Sequence, residues 1–311
     1  MTTQKSGRHL VVPLGGRVSG GATFARPCAK KYPDNKEPAT GCAIGVVDTG
    51  LVLHDGRPHC WIADHVVFDP KVDEDPLPPA GSGAPLGSTG HGTFVTGVIL
   101  HEAPTAKVTM KGVLDKETGD AEDKAVADAI DVLCSAGIKL INLSFGGDKE
   151  EQGPPPGIGE ALSSLGEDVV VVVAAGNSGT QQPFYPAAFE LGAGKARMIA
   201  VGAVDARHHR STPVADFSNH GRWVSAYASG VDVLGPYLGF ADGTPGFTGW
   251  ATWSGTSFAS AVVTGRIAHC ATAEGISVAE AAERVVGSPK IPVWGVNGQA
   301  MMPYVASGVD A

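Results

Sequence analysis

The sequence predicts a single α/β domain of 311 residues, with a mainly parallel central sheet flanked by helices. Three observations carry that reading. Continuous apolar runs at 43–47, 139–143, 169–174 and 198–204 have the character of strands buried on both faces, as in parallel sheets covered by helices. Helix-like stretches at 92–100, 122–136 and 159–165 alternate with them, which is the signature of βαβ units. No internal repeat or composition break marks a second folding unit, and the length suffices for one large core.

Along the chain, residues 1–40 are rich in Gly, Pro and charge and read as an irregular N-terminal leader. The regular pattern begins at Ala43 and places the main domain at 41–290. Residues 66–90, with many Pro, Gly and Asp, read as a long surface excursion, and 235–249 as a Gly-rich, aromatic-dotted loop. From Ser257 to Val286 the pattern is helical with an Ala/Gly-rich face, broken around Gly275. Residues 291–311 read as an irregular C-terminal tail.

A net charge of −9 without a basic stripe argues against nucleic acid as partner. No apolar run approaches a membrane span, so no membrane partner is expected and the chain reads as a monomer. The first ten residues lack the apolar core and cleavage site of a secretory signal. Five cysteines (Cys28, Cys42, Cys60, Cys134, Cys270) form no framework spacing. That favours reduced thiols and a cytoplasmic location, the alternative being a secreted protein whose leader is missing from this sequence.

Three short segments carry chemistry. They are Val46-Val47-Asp48-Thr49-Gly50, His91-Gly92-Thr93 and Gly255-Thr256-Ser257-Phe258-Ala259. A hydroxyl is a weak nucleophile at neutral pH and needs a base that a third group orients. Asp48 follows a buried strand at a turn, where open parallel sheets place reactive groups, although a turn aspartate bonded to its own backbone looks the same. His91 stands at a helix start, where the dipole keeps an imidazole neutral, as a general base must be. Ser257 lies at a turn into a helix of small residues, with its backbone N–H available to an anion; the alternative is a plain N-cap at Thr256 or Ser257. A fourth element, Ala174-Ala175-Gly176-Asn177, runs from a buried strand into a polar turn, and the Asn177 amide there would donate to an oxyanion.

These segments resemble those of the subtilisin-like serine proteases (subtilases), whose chain order is also Asp, His, Ser. The resemblance runs from about 43 to 273 and includes Ile141-Asn142-Leu143-Ser144-Phe145-Gly146-Gly147 and Ile199-Ala200-Val201-Gly202-Ala203-Val204. It implies the three-layer subtilisin-like fold. It also implies a serine endopeptidase in which Asp48 orients the imidazole, His91 is base then acid, Ser257 is the nucleophile, and Asn177 forms the oxyanion hole with the Ser257 N–H. A peptide or protein substrate would bind as an added strand. Its binding residues would be Ser144, Phe145 and Gly146 on one side and Ala174, Ala175 and Gly176 on the other. The opposing rim would be 114–119, continuing into Asp120, Glu122 and Asp123. Phe184, before Tyr185-Pro186, falls at the base of the primary pocket, where relatives often have a small residue. It would shorten that pocket and favour small or medium P1 side chains.

The sequence departs from the family at Ala261, where Pro is usual, at Phe94, where a second His is common, and at Ala228-Ser229-Gly230. None touches the triad. The chemistry requires no cofactor and no metal ligands are assigned. The segment that carries a strong calcium site in many relatives is short here, which leaves the acidic run 69–75 as the place for a weak structural calcium. His54, His59, Cys60 and His65 fit no standard zinc spacing. Little sequence precedes Asp48 for a folding propeptide, so the chain is trimmed, folds unaided, or carries a short inhibitory leader. Leu10-Val11-Val12-Pro13-Leu14 is apolar enough to lie in a groove. Two rivals to hydrolysis remain: a peptide-binding pseudoprotease, and a peptide-ligating acyl transferase on the same fold.

Overall fold

Nine strands form the central sheet of the computed structural model, which describes residues 10–11, 23–24, 35–76, 88–115, 120–148, 154–207, 213–237, 249–287, 290–295 and 298–307. In chain order they are β1 (Ala43–Asp48), β2 (Val66–Val67), β3 (Lys107–Gly112), β4 (Leu140–Leu143), β5 (Val170–Ala174), β6 (Arg197–Val204), β7 (Ala226–Ser229), β8 (Lys290–Gly295) and β9 (Gly298–Val305). Across the sheet the order is β8-β9-β7-β6-β5-β4-β1-β3-β2. Every neighbouring pair is parallel except the β8–β9 hairpin.

Five helices cover the sheet: α1 (His91–Glu102), α2 (Asp123–Ser135), α3 (Pro156–Ser164), α4 (Thr256–Glu274) and α5 (Val278–Gly287). Alternate side chains of each strand point to opposite faces, and two large cores result, beside a small cluster of Ala175, Val204, Val224 and Tyr227. Ile44, Val46, Val170 and Val172 pack with Phe94, Ile99 and Val263 of α1 and α4. Val47, Ile141, Val171 and Val173 pack with Ile130, Leu133 and Leu162 of α2 and α3. The result is the three-layer arrangement the apolar runs predict.

Helix α4 is buried along most of its length, which explains the small residues on it. At its crossing with α1, a Cβ on Gly265 would lie 2.5 Å from the Glu102 Cβ and 2.7 Å from the Ile99 carbonyl oxygen. Only glycine permits that approach.

Three expectations need correction. Within the 66–90 excursion, Val66–Val67 joins the sheet beside β3. The tail from 291 is not irregular, since β8 and β9 extend the sheet and Val305 is buried. The leader is not wholly irregular either. Leu10–Val11 pairs antiparallel with Ala121–Glu122, and Thr23–Phe24 pairs with Ala251 and Thr252. Two-residue strands have no period to read, and an edge accepts them through backbone groups alone.

Candidate active site

Asp48 ends β1, and the turn that follows reverses the chain at Gly50, whose φ of 99° suits glycine. His91 opens α1 behind Gly90, and Ser257 stands in the first turn of α4. A Cβ on Gly92 would lie 2.3 Å from the Gly50 carbonyl oxygen, so the helix start presses directly on the Asp48 turn. All three residues are buried: Asp48 is 0%, His91 6% and Ser257 1% exposed.

The Asp48 carboxylate accepts from His91 Nδ1 at 2.8 Å on Oδ1 and 3.0 Å on Oδ2. A buried carboxylate at that distance requires Nδ1 to carry the proton. Nε2 then holds the lone pair, which is the tautomer a base needs. Asp48 Oδ1 also accepts the Thr49 amide at 2.7 Å, so the turn-aspartate and triad-acid readings are both satisfied by one side chain. Aromatic rings wall the imidazole. Trp253 meets it edge-on with centroids 5.5 Å apart, and Phe258 is tilted at 5.6 Å. Phe94, where a second His is common, packs on Phe258 at 4.7 Å.

The N-cap of α4 is Gly255, with no side-chain cap bond, so the plain N-cap reading of Thr256 or Ser257 does not hold. In this state the Ser257 hydroxyl donates to the Ser144 carbonyl oxygen at 3.0 Å. The Ser144 hydroxyl donates to Asn142 Oδ1 at 2.7 Å, and Asn142 Nδ2 donates to Thr264 Oγ1 at 3.0 Å. A buried polar network thus locks α4 to the end of β4.

Asn177 follows β5 through Gly176, whose φ is 104°. Its Oδ1 accepts from the Thr256 amide and the Thr256 hydroxyl, both at 2.9 Å. The same hydroxyl accepts the Gly176 amide at 3.0 Å. With the oxygen committed to Thr256, Nδ2 sits beside Gly255, 3.3 Å from where a Cβ there would stand. The carboxamide is therefore oriented, donor toward the Ser257 turn.

The substrate-side residues divide. Gly146 and Gly176 flank the Phe184 ring: a Cβ on Gly146 would lie 2.2 Å from Phe184 Cε1, and one on Gly176 3.0 Å from its Cγ. Phe184 is 3% exposed and belongs to the core of the α2–α3 face. Phe145 belongs to the same core, so its side chain faces inward and only its backbone borders the site. Ala174 and Ala175 are fully buried. The rim residues 116–119 lie outside the described residues.

The aspartate carboxylates of the acidic run accept hydrogen bonds from protein donors. Asp73 accepts from the Gly112 amide, the Asp69 amide and Lys111 Nζ, Asp69 accepts the Lys71 amide, and Asp75 accepts from Thr49 and Gly90. Among the described residues no three His, Cys, Asp or Glu are grouped as metal ligands. Cys42, Cys60, Cys134 and Cys270 are all unpaired thiols.

The roles of Thr49, Asp75, Asn142, Thr256 and Asn219 are not legible as motifs. Asn219 Oδ1 accepts the Ser178 and Thr180 amides and so shapes the Asn177 turn. Thr49, Asn142 and Thr256 fall inside the motif segments and Asp75 ends the acidic run, but none of these carried a signal of its role, and Asn219 carried none at all.

A parallel sheet that gathers an acid, a histidine and a serine from three distant segments, with an oriented carboxamide beside them, defines an α/β protein with a Ser–His–Asp site in the order Asp, His, Ser. The chain belongs to the subtilase family, whose model (Peptidase_S8) matches residues 39–286. It is 31% identical over 250 residues to a thermophilic serine proteinase of Bacillus sp. (strain AK1), covering 77% of this chain and 54% of that protein. It is 32% identical over 238 residues to thermitase of Thermoactinomyces vulgaris, covering 73% of each. In fold it is similar to the crystal structure of a lanthipeptide protease, with a TM-score of 0.65 at 19% identity, covering 91% of this chain and 90% of that one. The chain spans between half and two thirds of the length of the first three curated relatives it matches.

Proposed function

We propose that this chain is a serine endopeptidase acting through an acyl-enzyme on Ser257. The observation that carries the reading is the buried His91–Asp48 hydrogen bond, which fixes the imidazole as the Nδ1–H tautomer beside the α4 turn. A peptide adds as a strand along Ser144–Gly146, and the Ser257 hydroxyl turns from the Ser144 carbonyl to His91 Nε2. His91 then takes the hydroxyl proton as Ser257 Oγ attacks the scissile carbonyl carbon, and the carbonyl π pair moves onto oxygen. The Ser257 N–H and Asn177 Nδ2 receive that oxyanion. When the C–N bond breaks, His91 returns the proton to the leaving amine. Water, deprotonated by His91, next attacks the acyl carbon; Ser257 leaves as the alkoxide and recovers the proton from the imidazolium.

Phe184 supports a preference for small P1 side chains, since its ring occupies the space between Gly146 and Gly176. The chemistry runs on protein side chains without a cofactor.

A fluorophosphonate probe tests the reading. Wild-type protein is expected to be labelled, and Ser257→Ala and His91→Ala are expected to lose labelling. An unlabelled wild type that also leaves peptides uncut after removal of residues 1–20 would overturn it in favour of a peptide-binding pseudoprotease.

A further inference from the structure

We propose that Asp75 is a positioning residue that clamps the Asp48 turn to the start of α1 and thereby holds His91 in line with its carboxylate. The proposal deepens the peptidase reading and rests on it for its kinetic consequences. Asp75 is 0% exposed, and one of its oxygens, Oδ2, accepts two donors from the two catalytic segments. Thr49, next to Asp48, donates its hydroxyl at 2.9 Å. Gly90, next to His91, donates its amide at 2.8 Å. The Thr49 hydroxyl in turn accepts the Gly92 amide at 3.1 Å. The bonded path Gly92–Thr49–Asp75–Gly90 therefore closes a ring around His91, with both chain neighbours of the histidine tied to one carboxylate.

The clamp is itself anchored. The Asp75 amide donates to the Leu51 carbonyl at 2.8 Å, and the Val52 amide donates to Thr93 Oγ1 at 2.9 Å. A buried ion accepting two hydrogen bonds is stronger and stiffer than a neutral acceptor. Both of these donors to the carboxylate thus come from the two catalytic segments. Without the clamp, the Asp48 turn and the α1 start remain packed through Gly50 and Gly92 and joined by the Val52–Thr93 bond, but the two chain neighbours of His91 lose their shared anchor. A displacement of a base by a fraction of an ångström lowers turnover while leaving peptide binding along Ser144–Gly146 intact.

The test compares Thr49→Val, which keeps the shape and removes the hydroxyl, with Thr49→Ser, which restores it, alongside Asp75→Asn and the Thr49→Val/Asp75→Asn double variant. Each is first matched to wild type by thermal melting. Thr49→Val is expected to lower kcat on the order of 10- to 100-fold with KM within about twofold, Thr49→Ser to recover most of it, and the double variant to be no slower than Thr49→Val, since both cut one path. The far-downfield proton resonance of His91 Nδ1–H, visible without turnover, is expected to broaden or vanish in Thr49→Val and to persist in Thr49→Ser. Equal kcat in Thr49→Val and wild type, equal loss in Val and Ser, or a rise in KM alone would overturn the clamp. An inactive wild type that keeps the resonance pattern would sink the peptidase reading and leave the clamp standing.

Discussion

Phe184 lies so close over Gly146 that a Cβ on the glycine would stand 2.2 Å from its ring. The ring sits between Gly146 and Gly176, and Tyr185 pairs with Gly147 beside it. Peptide amides with Ala at P1 are therefore expected to be cut at least tenfold faster than those with Phe or Leu, by kcat/KM, because a large side chain must displace a packed ring. Phe184→Gly is expected to reverse the order. Equal rates for Ala and Phe in the wild type would refute the pocket assignment.

Asn177 depends on Thr256 for its orientation. Asn177→Ala is expected to lower kcat by about 100- to 1,000-fold with little change in KM, the usual cost of an oxyanion donor. Thr256→Val removes one of the two donors that hold the carboxamide oxygen and leaves the Thr256 amide in place. A smaller loss, about tenfold, is expected for it. If Thr256→Val proves as damaging as Asn177→Ala, the hydroxyl does more than orient.

The strand at Leu10–Val11 pairs with Ala121–Glu122, the continuation of the proposed substrate rim. A peptide seated on that edge competes with it. Removal of residues 1–20 is expected to raise kcat/KM several-fold through a lower KM, measured with a short peptide amide. Unchanged kinetics would show that the pairing does not block the cleft.

His59 makes the fold acid-sensitive. It is buried, its ring meets Trp250 edge-on at 5.6 Å, and it accepts the Trp61 amide. Burial lowers its pKa from 6.5 to about 4, against a weaker upward pull from its bond to the Gly249 backbone. The unfolded chain thus binds a proton near pH 6.5 that the folded chain refuses until about pH 4. The stabilisation is complete above pH 6.5 and is lost as pH falls through this window, by up to about 3 kcal/mol. Denaturant melts at pH 7 and 4.5 are expected to show the drop in wild type and a flatter slope in His59→Gln. Parallel slopes in both would rule His59 out as the source.

Legibility in the sequence followed periodicity and adjacency. Runs such as Val170–Ala174 are apolar on both faces and read directly as buried strands, and the helices α1, α2 and α4 began within a residue of where the pattern placed them. The candidate acid, base, nucleophile and amide donor each sit at an element end, which is why short motifs sufficed. The β8–β9 hairpin escaped because its last strand is held by pairing with β7 and by Ser307 donating to the buried Glu102, a partner 205 residues away. Asp75 escaped for the same reason: its two donors come from positions 26 and 15 residues distant. Phe145, expected on the substrate side, turned inward because alternate residues past β4 continue to face opposite sides.

Helix α4, buried between α1 and the sheet, also sets a timetable. The acid and the histidine stand at 48 and 91, but the serine arrives only with residue 257, on a helix that packs against strands preceding it in sequence. A growing chain therefore lacks its proposed nucleophile until 166 residues beyond His91 have been added. Under the proposed peptidase function, incomplete copies cannot cut one another, because α4 both completes the site and arms it.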